Sequence, residues 1–496
     1  TFFHTFVHMR CIFTLFMIIW CMVATAMPKH EVRAVWLTTI MGLDWPKTRA
    51  VSEESRKKQQ QELCNILDRL QEDGINTVYL QTRTRGAVIY PSAIEPWDGA
   101  LTGKYDKHPG YDPLAFAIDE CHKRGIAVIL DVVFNHSTGQ FPWAKMWWNS
   151  SANKTAADNP FFNVDAPHNW SVYHDFNHTY PKTRTYFKEV LQYWLKEYKV
   201  DGYRFDLTKG LVQNPGNYDA GGYSAERIGI LKDYANAIRE VTPDAYIIFE
   251  HFCDGSEENE LAAYKNIMLW RNVNSASCES AMGWTGSDKS NFSSISAYGR
   301  VGFAESHDEE RVGYKIKTWG QTALKNNFPS ANVATQLTGM YALEFLSPYA
   351  KMIWQFGELA YDYSIDYNDR TGEKPVPWEL GYFEHANRKA LYDNLSKIIS
   401  FRTENPQIFS SDSGDKERKT WNVGDGSMGG KTLVLSNNYG GVIVVANQST
   451  ASATTTVSVP QTGQWTNILT GEKVTLNSSY TVTLAAHQCV VLGRVN

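Results

Sequence analysis

Val200-Asp201-Gly202-Tyr203-Arg204-Phe205-Asp206-Leu207-Thr208-Lys209 begins as a short strand and ends in charge. Its first six residues mix β-branched and aromatic side chains without a helical period, the pattern of a buried strand. Arg204 and Asp206 stand two apart, so in a strand both point to one face. Three other strand-like runs finish the same way: Asp131-Val132-Val133-Phe134-Asn135-His136, Tyr246-Ile247-Ile248-Phe249-Glu250-His251 and Gly302-Phe303-Ala304-Glu305-Ser306-His307-Asp308. Each alone has a structural explanation: Asp131 as a turn cap, Arg204 with Asp206 as an ion pair, Glu250 as a rim charge. A polar cluster repeated at the ends of successive strands is what a site built on those ends would require.

Outward from this stretch, strands alternate with amphipathic helices between residues 31 and about 407. Residues 32–39, 77–81, 127–133, 245–249, 300–304 and 351–355 read as further strands. Leu63, Ile66, Leu67 and Leu70 form one helical stripe, stopped by Gly74. Pro113 and Pro181 sit at first helical positions, and Gly125 follows the helix over 116–124 as a C-cap. Alternation this long predicts an α/β fold, a (β/α)8 TIM barrel. The Trp-, Asn- and His-rich residues 137–179 form an insert after the third strand, where recognition loops lie in such barrels. After about residue 410, short alternating runs separated by Gly, Asn and Ser predict a C-terminal antiparallel β-sandwich. The expected segments are thus 1–26 leader, 27–136 first part of the barrel, 137–179 insert, 180–409 remainder of the barrel and 410–496 sandwich.

A formal net charge of −5 leaves no basic footprint, which argues against a nucleic-acid partner. The chain carries 16 Trp, 26 Tyr and 23 Phe, more than a core alone needs and in keeping with a cleft that stacks on sugar rings. Met9 and Arg10, the apolar stretch 11–23 and Ala24-Thr25-Ala26 read as a signal peptide over about 9–26. A secreted or periplasmic protein is therefore expected, with no membrane contact after cleavage. Cys64, Cys121, Cys253, Cys278 and Cys489 remain, scattered and odd in number, with no CxxC spacing. Free thiols with at most one disulfide are expected.

From about residue 126 onward the chain resembles the α-amylase family, glycoside hydrolase family 13. The resemblance rests on the four strand ends, the Lys374-Pro375-Val376-Pro377-Trp378 turn and the helix end Arg402-Thr403-Glu404-Asn405-Pro406. It implies a retaining hydrolase of internal α-1,4 bonds in starch-like glucans, acting as a monomer. Asp206 would be the nucleophile, Glu250 the acid and base, and Asp308 the group that grips the distorted sugar. Retention needs the first two carboxyls only about 5–5.5 Å apart, with Glu250 the more desolvated. The family further implies substrate contacts from Arg204, His136, His307 and Lys209, and a structural role for Asp131. It implies a structural Ca2+ held by Asn135, Asp175 and the Gly210 carbonyl, where many α-amylases have histidine in place of Gly210.

Residues about 31–125 resemble a different glycoside-hydrolase-like barrel family. The motifs are Glu31 to Thr39, Leu43-Asp44-Trp45-Pro46, Leu80-Gln81-Thr82-Arg83, Tyr90-Pro91-Ser92, Glu95-Pro96-Trp97 and Gly110-Tyr111-Asp112-Pro113-Leu114. A hybrid chain with its join near 117–128 is expected. The stacking tyrosine that α-amylases carry after the second strand is then missing, and Tyr111, Tyr90 or Trp97 would have to replace it. Two alternatives stay open: a transglycosylase or α-1,6-acting enzyme with the same carboxylates, or a catalytically weak glucan-binding protein.

Overall fold

The computed structural model describes residues 33–84, 86–170, 172–216, 219–284, 288–409 and 427–496. Eight strands close into a barrel: β1 (Arg33–Leu37), β2 (Thr77–Leu80), β3 (Ala127–Val133), β4 (Gly202–Asp206), β5 (Tyr246–Phe249), β6 (Met268–Asn272), β7 (Arg300–Phe303) and β8 (Lys351–Met352). Neighbours in the chain are parallel neighbours in the barrel, and β8 returns to β1 with Lys351 opposite Arg33. The predicted (β/α)8 barrel is the fold. The sequence reading omits β6, because Met268-Leu269-Trp270-Arg271-Asn272 is five residues long and ends in two polar groups. Its alternation is nevertheless decisive in space: Met268 and Trp270 face the barrel interior while Leu269 packs on the outer layer.

The helices start and stop where local chemistry dictates. In α1 (Glu53–Glu72), Ser52 and Ser55 exchange side-chain and backbone hydrogen bonds as a capping box. In α2 (Pro113–Lys123), the Asp112 carboxylate accepts the N–H groups of Leu114 and Ala115, and Pro113 fills the first position. Gly74 and Gly125 take the left-handed conformation after these helices, at φ +73° and +69°. Helices α3 (Pro181–Glu197), α4 (Ala225–Val241), α5 (Gly255–Ala262), α6 (Asn274–Met282), α7 (Ala331–Phe345) and α8 (Ala386–Glu404) follow β3 and the later strands.

The barrel interior is filled by Trp36, Tyr79, Trp270, Phe303 and Trp354 with smaller residues between them. Burying one large aromatic this fully stabilises the fold by roughly 2–3 kcal/mol. These rings also make a rigid floor beneath the strand ends. The insert leaves β3 at His136–Ser137, which pairs antiparallel with His174–Asp175, so its two ends are stapled where it begins. Inside it, Trp143 stacks on Phe161 at 3.9 Å between ring centres.

The C-terminal domain has an antiparallel sheet of β9 (Lys431–Asn437), β10 (Gly440–Ala446), β12 (Gly463–Asn467), β13 (Lys473–Leu476) and β15 (Cys489–Val495), in the order β9-β10-β15-β12-β13. A second pair, β11 (Ala453–Ser458) with β14 (Ser479–Leu484), covers it through a shared core of Ile443, Val445, Val457, Trp465, Leu484 and Leu492. The domain docks on α7, where Gln336 and Gln448 each donate a side-chain N–H to the other's backbone carbonyl at 3.0 Å. The leader 1–26 and the expected boundary at residue 410 lie outside the described residues. All five cysteines beyond the leader are free thiols.

Candidate active site

Strand register assembles the charged groups. Arg204 of β4 stands opposite Asp131 of β3 on one side and Ile248 of β5 on the other. Two residues further along β4 and β5 come Asp206 and Glu250, at the same height on neighbouring strands. One guanidinium reaches all three carboxyls. Arg204 Nη1 donates to Asp131 Oδ1 at 2.8 Å and to Asp206 Oδ1 at 3.0 Å, while Nη2 donates to Glu250 Oε2 at 2.5 Å. Glu250 also accepts the Leu207 N–H at 3.2 Å. The same guanidinium lies 4.3 Å from the Trp270 ring and 5.3 Å from that of Trp36, so the aromatic floor supports it.

These surroundings act strongly on Glu250. Burial pushes the Glu250 carboxyl up to about 8; the Arg204 charge opposes this and the Asp206 charge adds to it. Burial also raises Asp131, to about 6, against the pull of Arg204. Arg204 itself is 1% exposed; burial works against its charge, but its three carboxyl neighbours outweigh that and hold it above the usual arginine value. Burial, with help from Arg204, pushes His307 down to about 4, so its imidazole is neutral. Burial lowers His136 as well. The result is a proton-holding Glu250 beside an arginine-bound Asp206, with neutral imidazoles suited to hydroxyl partners.

Asp308 stands higher on the rim and is half-exposed. Its Oδ2 lies 3.5 Å from His307 Nε2, and Arg370 Nη2 donates to its backbone carbonyl at 2.7 Å and to Oδ1 at 3.4 Å. Lys209 extends over the Trp170 ring at 4.4 Å, with Asp219 Oδ2 at 3.5 Å. Tyr111 is not part of this cluster. Its hydroxyl donates to Gln59 Oε1 at 2.7 Å and its ring packs on Phe116, which commits it to the helix layer. Tyr90 is likewise taken up by Trp194 and Tyr198, and Trp97 by His108. The partners of these three rings are thus residues of the helix layer and loops rather than members of the Arg204 cluster.

Other aromatics stand at the site instead. Tyr173 of the insert is 70% exposed, with its ring 6.4 Å from that of His136. Trp170 is also exposed, beside Lys209. An exposed ring held in a left-handed backbone, φ +60° at Tyr173, departs from what a solvent-facing tyrosine needs. The only sequence signal for Tyr173, Trp170 and Arg370 is aromatic or basic character within loops that follow strands.

Asn135, Asp175 and Gly210 do come together, at the junction of barrel and insert. Asn135 Oδ1 and Asp175 Oδ1 are buried without a hydrogen-bond partner, as cation ligands would be. The arrangement nevertheless does not fit Ca2+. His168 Nε2 stands 2.8 Å from the Gly210 carbonyl oxygen and 3.4 Å from Asp175 Oδ1, so an imidazole occupies the ground between the donors.

Residues 31–228 match the model of the family glycosyl hydrolase-like 10. The glycosyl hydrolase YngK of Bacillus subtilis is 34% identical over 187 residues, 37% of this chain and 34% of that protein. Alpha-amylase 3 of Dictyoglomus thermophilum is 28% identical over 183 residues, 33% of this chain and 34% of that protein. The chain thus spans about a third of the length of these curated relatives. The α-amylase of Geobacillus thermoleovorans, solved with acarbose, superposes with a TM-score of 0.63 at 16% identity, over 95% of this chain and 99% of that one. The fold they share is the (β/α)8 barrel with a C-terminal antiparallel sheet.

The matched region includes β4 with Arg204 and Asp206, and extends past 117–128, where the sequence reading puts a join. The relatives are named as a glycosyl hydrolase and an α-amylase, and the family match holds Asp131, Arg204 and Asp206 but ends before Glu250 and Asp308.

Proposed function

We propose that the protein is a retaining α-glucan hydrolase that cleaves internal α-1,4-glucosidic bonds of starch-like polysaccharides. One observation carries the reading: Arg204 binds Asp206 and Glu250 at equal height on adjacent strands. Neighbouring strands lie about 4.8 Å apart, which suits the roughly 5–5.5 Å carboxyl separation of a retaining mechanism. Asp206, oriented by its hydrogen bond from Arg204, attacks the anomeric carbon and forms a glycosyl ester. Glu250, protonated at neutral pH, delivers its proton to the leaving glycosidic oxygen and then takes one from the incoming water. Asp308 accepts from hydroxyls of the distorted sugar, with His136 and His307 as neutral partners and Lys209 on the leaving-group side.

The exposure of Asp308 and Tyr173 supports an endo preference. A transglycosylase or α-1,6 preference would keep the same carboxyls and differ in the residues that meet the acceptor. We also read the chain as composite, in line with its two sets of relatives, and as exported through residues 9–26. Among the described residues no helix is long and apolar enough to cross a membrane.

The test is reducing-sugar release from soluble starch, with the anomeric form of the product followed by NMR. Retained configuration supports the reading; an inverted product would sink it, and no turnover at all would favour a binding role. The raised Glu250 carboxyl also sets a pH limb. Activity is expected to fall as pH rises through about 8, because Glu250 must carry a proton to act. In Glu250→Gln that limb disappears from the kcat/KM profile along with most of the activity.

A further inference from the structure

We infer that His168 takes the place of a metal ion at the junction of barrel and insert, so that the insert docks without Ca2+. The inference is independent of the glycosidase reading, since it concerns what holds the insert rather than what is cleaved.

The junction is built from three oxygens. The Gly210 carbonyl comes from the turn after β4, Asn135 Oδ1 from the end of β3, and Asp175 Oδ1 from the returning end of the insert. Asn135, His168 and Asp175 are 0%, 0% and 1% exposed, so bulk solvent does not reach them. A divalent cation would sit about 2.3–2.6 Å from each oxygen. Here an imidazole nitrogen stands between two of them.

The hydrogen on that nitrogen is fixed by chemistry. A carbonyl oxygen can only accept, so His168 Nε2, at 2.8 Å from the Gly210 oxygen, must donate. The positive end of this N–H dipole also faces Asp175 Oδ1 at 3.4 Å. It therefore presents to the two oxygens the sign of charge that a cation would present. A cation in the same space would meet that hydrogen head-on, and the nitrogen is a poor partner for an ion that takes oxygen ligands.

Glycine at 210 closes the third side. A Cβ there would lie 1.9 Å from Asn135 Oδ1 and 2.9 Å from His168 Cε1. The turn thus presses directly on the Asn135 oxygen and the imidazole, and only the lack of a side chain permits it. One residue, carried by the insert itself, links the insert to the Gly210 turn forty-two positions away.

The experiment is thermal unfolding of the full chain after chelation and after adding back millimolar Ca2+, together with elemental analysis of the purified protein. The wild type is expected to hold far less than one calcium per chain and to melt at the same temperature in both conditions. In His168→Ala the Gly210 oxygen loses its N–H partner and Asp175 Oδ1 the dipole that faces it, and Ca2+ is expected to raise the melting temperature by several degrees. The inference is overturned if the wild type carries about one calcium per chain, or melts several degrees lower on chelation and recovers with Ca2+. It is also overturned if folded His168→Ala melts identically with and without Ca2+. Should His168→Ala not fold, His168→Asn with the same calcium titration replaces it, and the wild-type measurement still decides.

Discussion

Asp206→Asn is expected to lower kcat/KM on soluble starch by about 10^4-fold or more, the scale of removing a nucleophile from a group of residues that act together. The amide keeps the size of the side chain and a carbonyl oxygen that can still accept from Arg204 Nη1. What it loses is the charge and the ability to form a glycosyl ester. The melting temperature should therefore move little while turnover disappears. Reducing-sugar assays on wild type and variant, with calorimetry on both, separate the two effects. Comparable turnover in the two proteins would remove Asp206 from the mechanism.

Arg204→Met is expected to produce the largest loss of stability, about 3–5 kcal/mol, because it removes one partner of a buried charge cluster and leaves the others unpaired. The side chain is 1% exposed and bonded to Asp131, Asp206 and Glu250, so its loss takes a donor from all three. The pH dependence has a definite sign. Asp131 and Glu250 already hold protons to about 6 and about 8, above the usual carboxyl values of 3.8 and 4.5. Groups raised on folding contribute stability that is complete below the unfolded values and is lost as pH rises through the folded ones. Without the arginine both would rise further, so the destabilisation should be greater at pH 9 than at pH 5. Denaturant unfolding of wild type and variant at the two pH values measures this. An equal loss at both would mean that packing on Trp270 and Trp36, rather than charge, is what the guanidinium supplies.

The parts of the site that were legible share a physical property: they lie on strands, where a period of two decides the face. Arg204 and Asp206 can be placed from their spacing alone, and Glu250 from its position at the end of the next strand. Strand β6 escaped because five residues ending in Arg271 and Asn272 carry too little pattern, although Trp270 is the ring on which Arg204 rests. Tyr111 was misplaced for a related reason. Its position before α2 is clear from Asp112 and Pro113, but its hydroxyl partner Gln59 lies fifty-two residues back on another helix.

What the sequence by itself determined is the barrel, the helix ends at Gly74 and Gly125, and the strand ends that carry Asp131, Asp206, Glu250 and Asp308. These follow from alternation, capping and backbone preference, which act over a few residues. Only the tertiary structure decided which aromatics reach the rim, that Arg370 holds Asp308, and that His168 stands between Gly210 and Asp175. Those contacts join loops distant in the chain, and closing a loop costs entropy without leaving any periodic trace in the residues that meet.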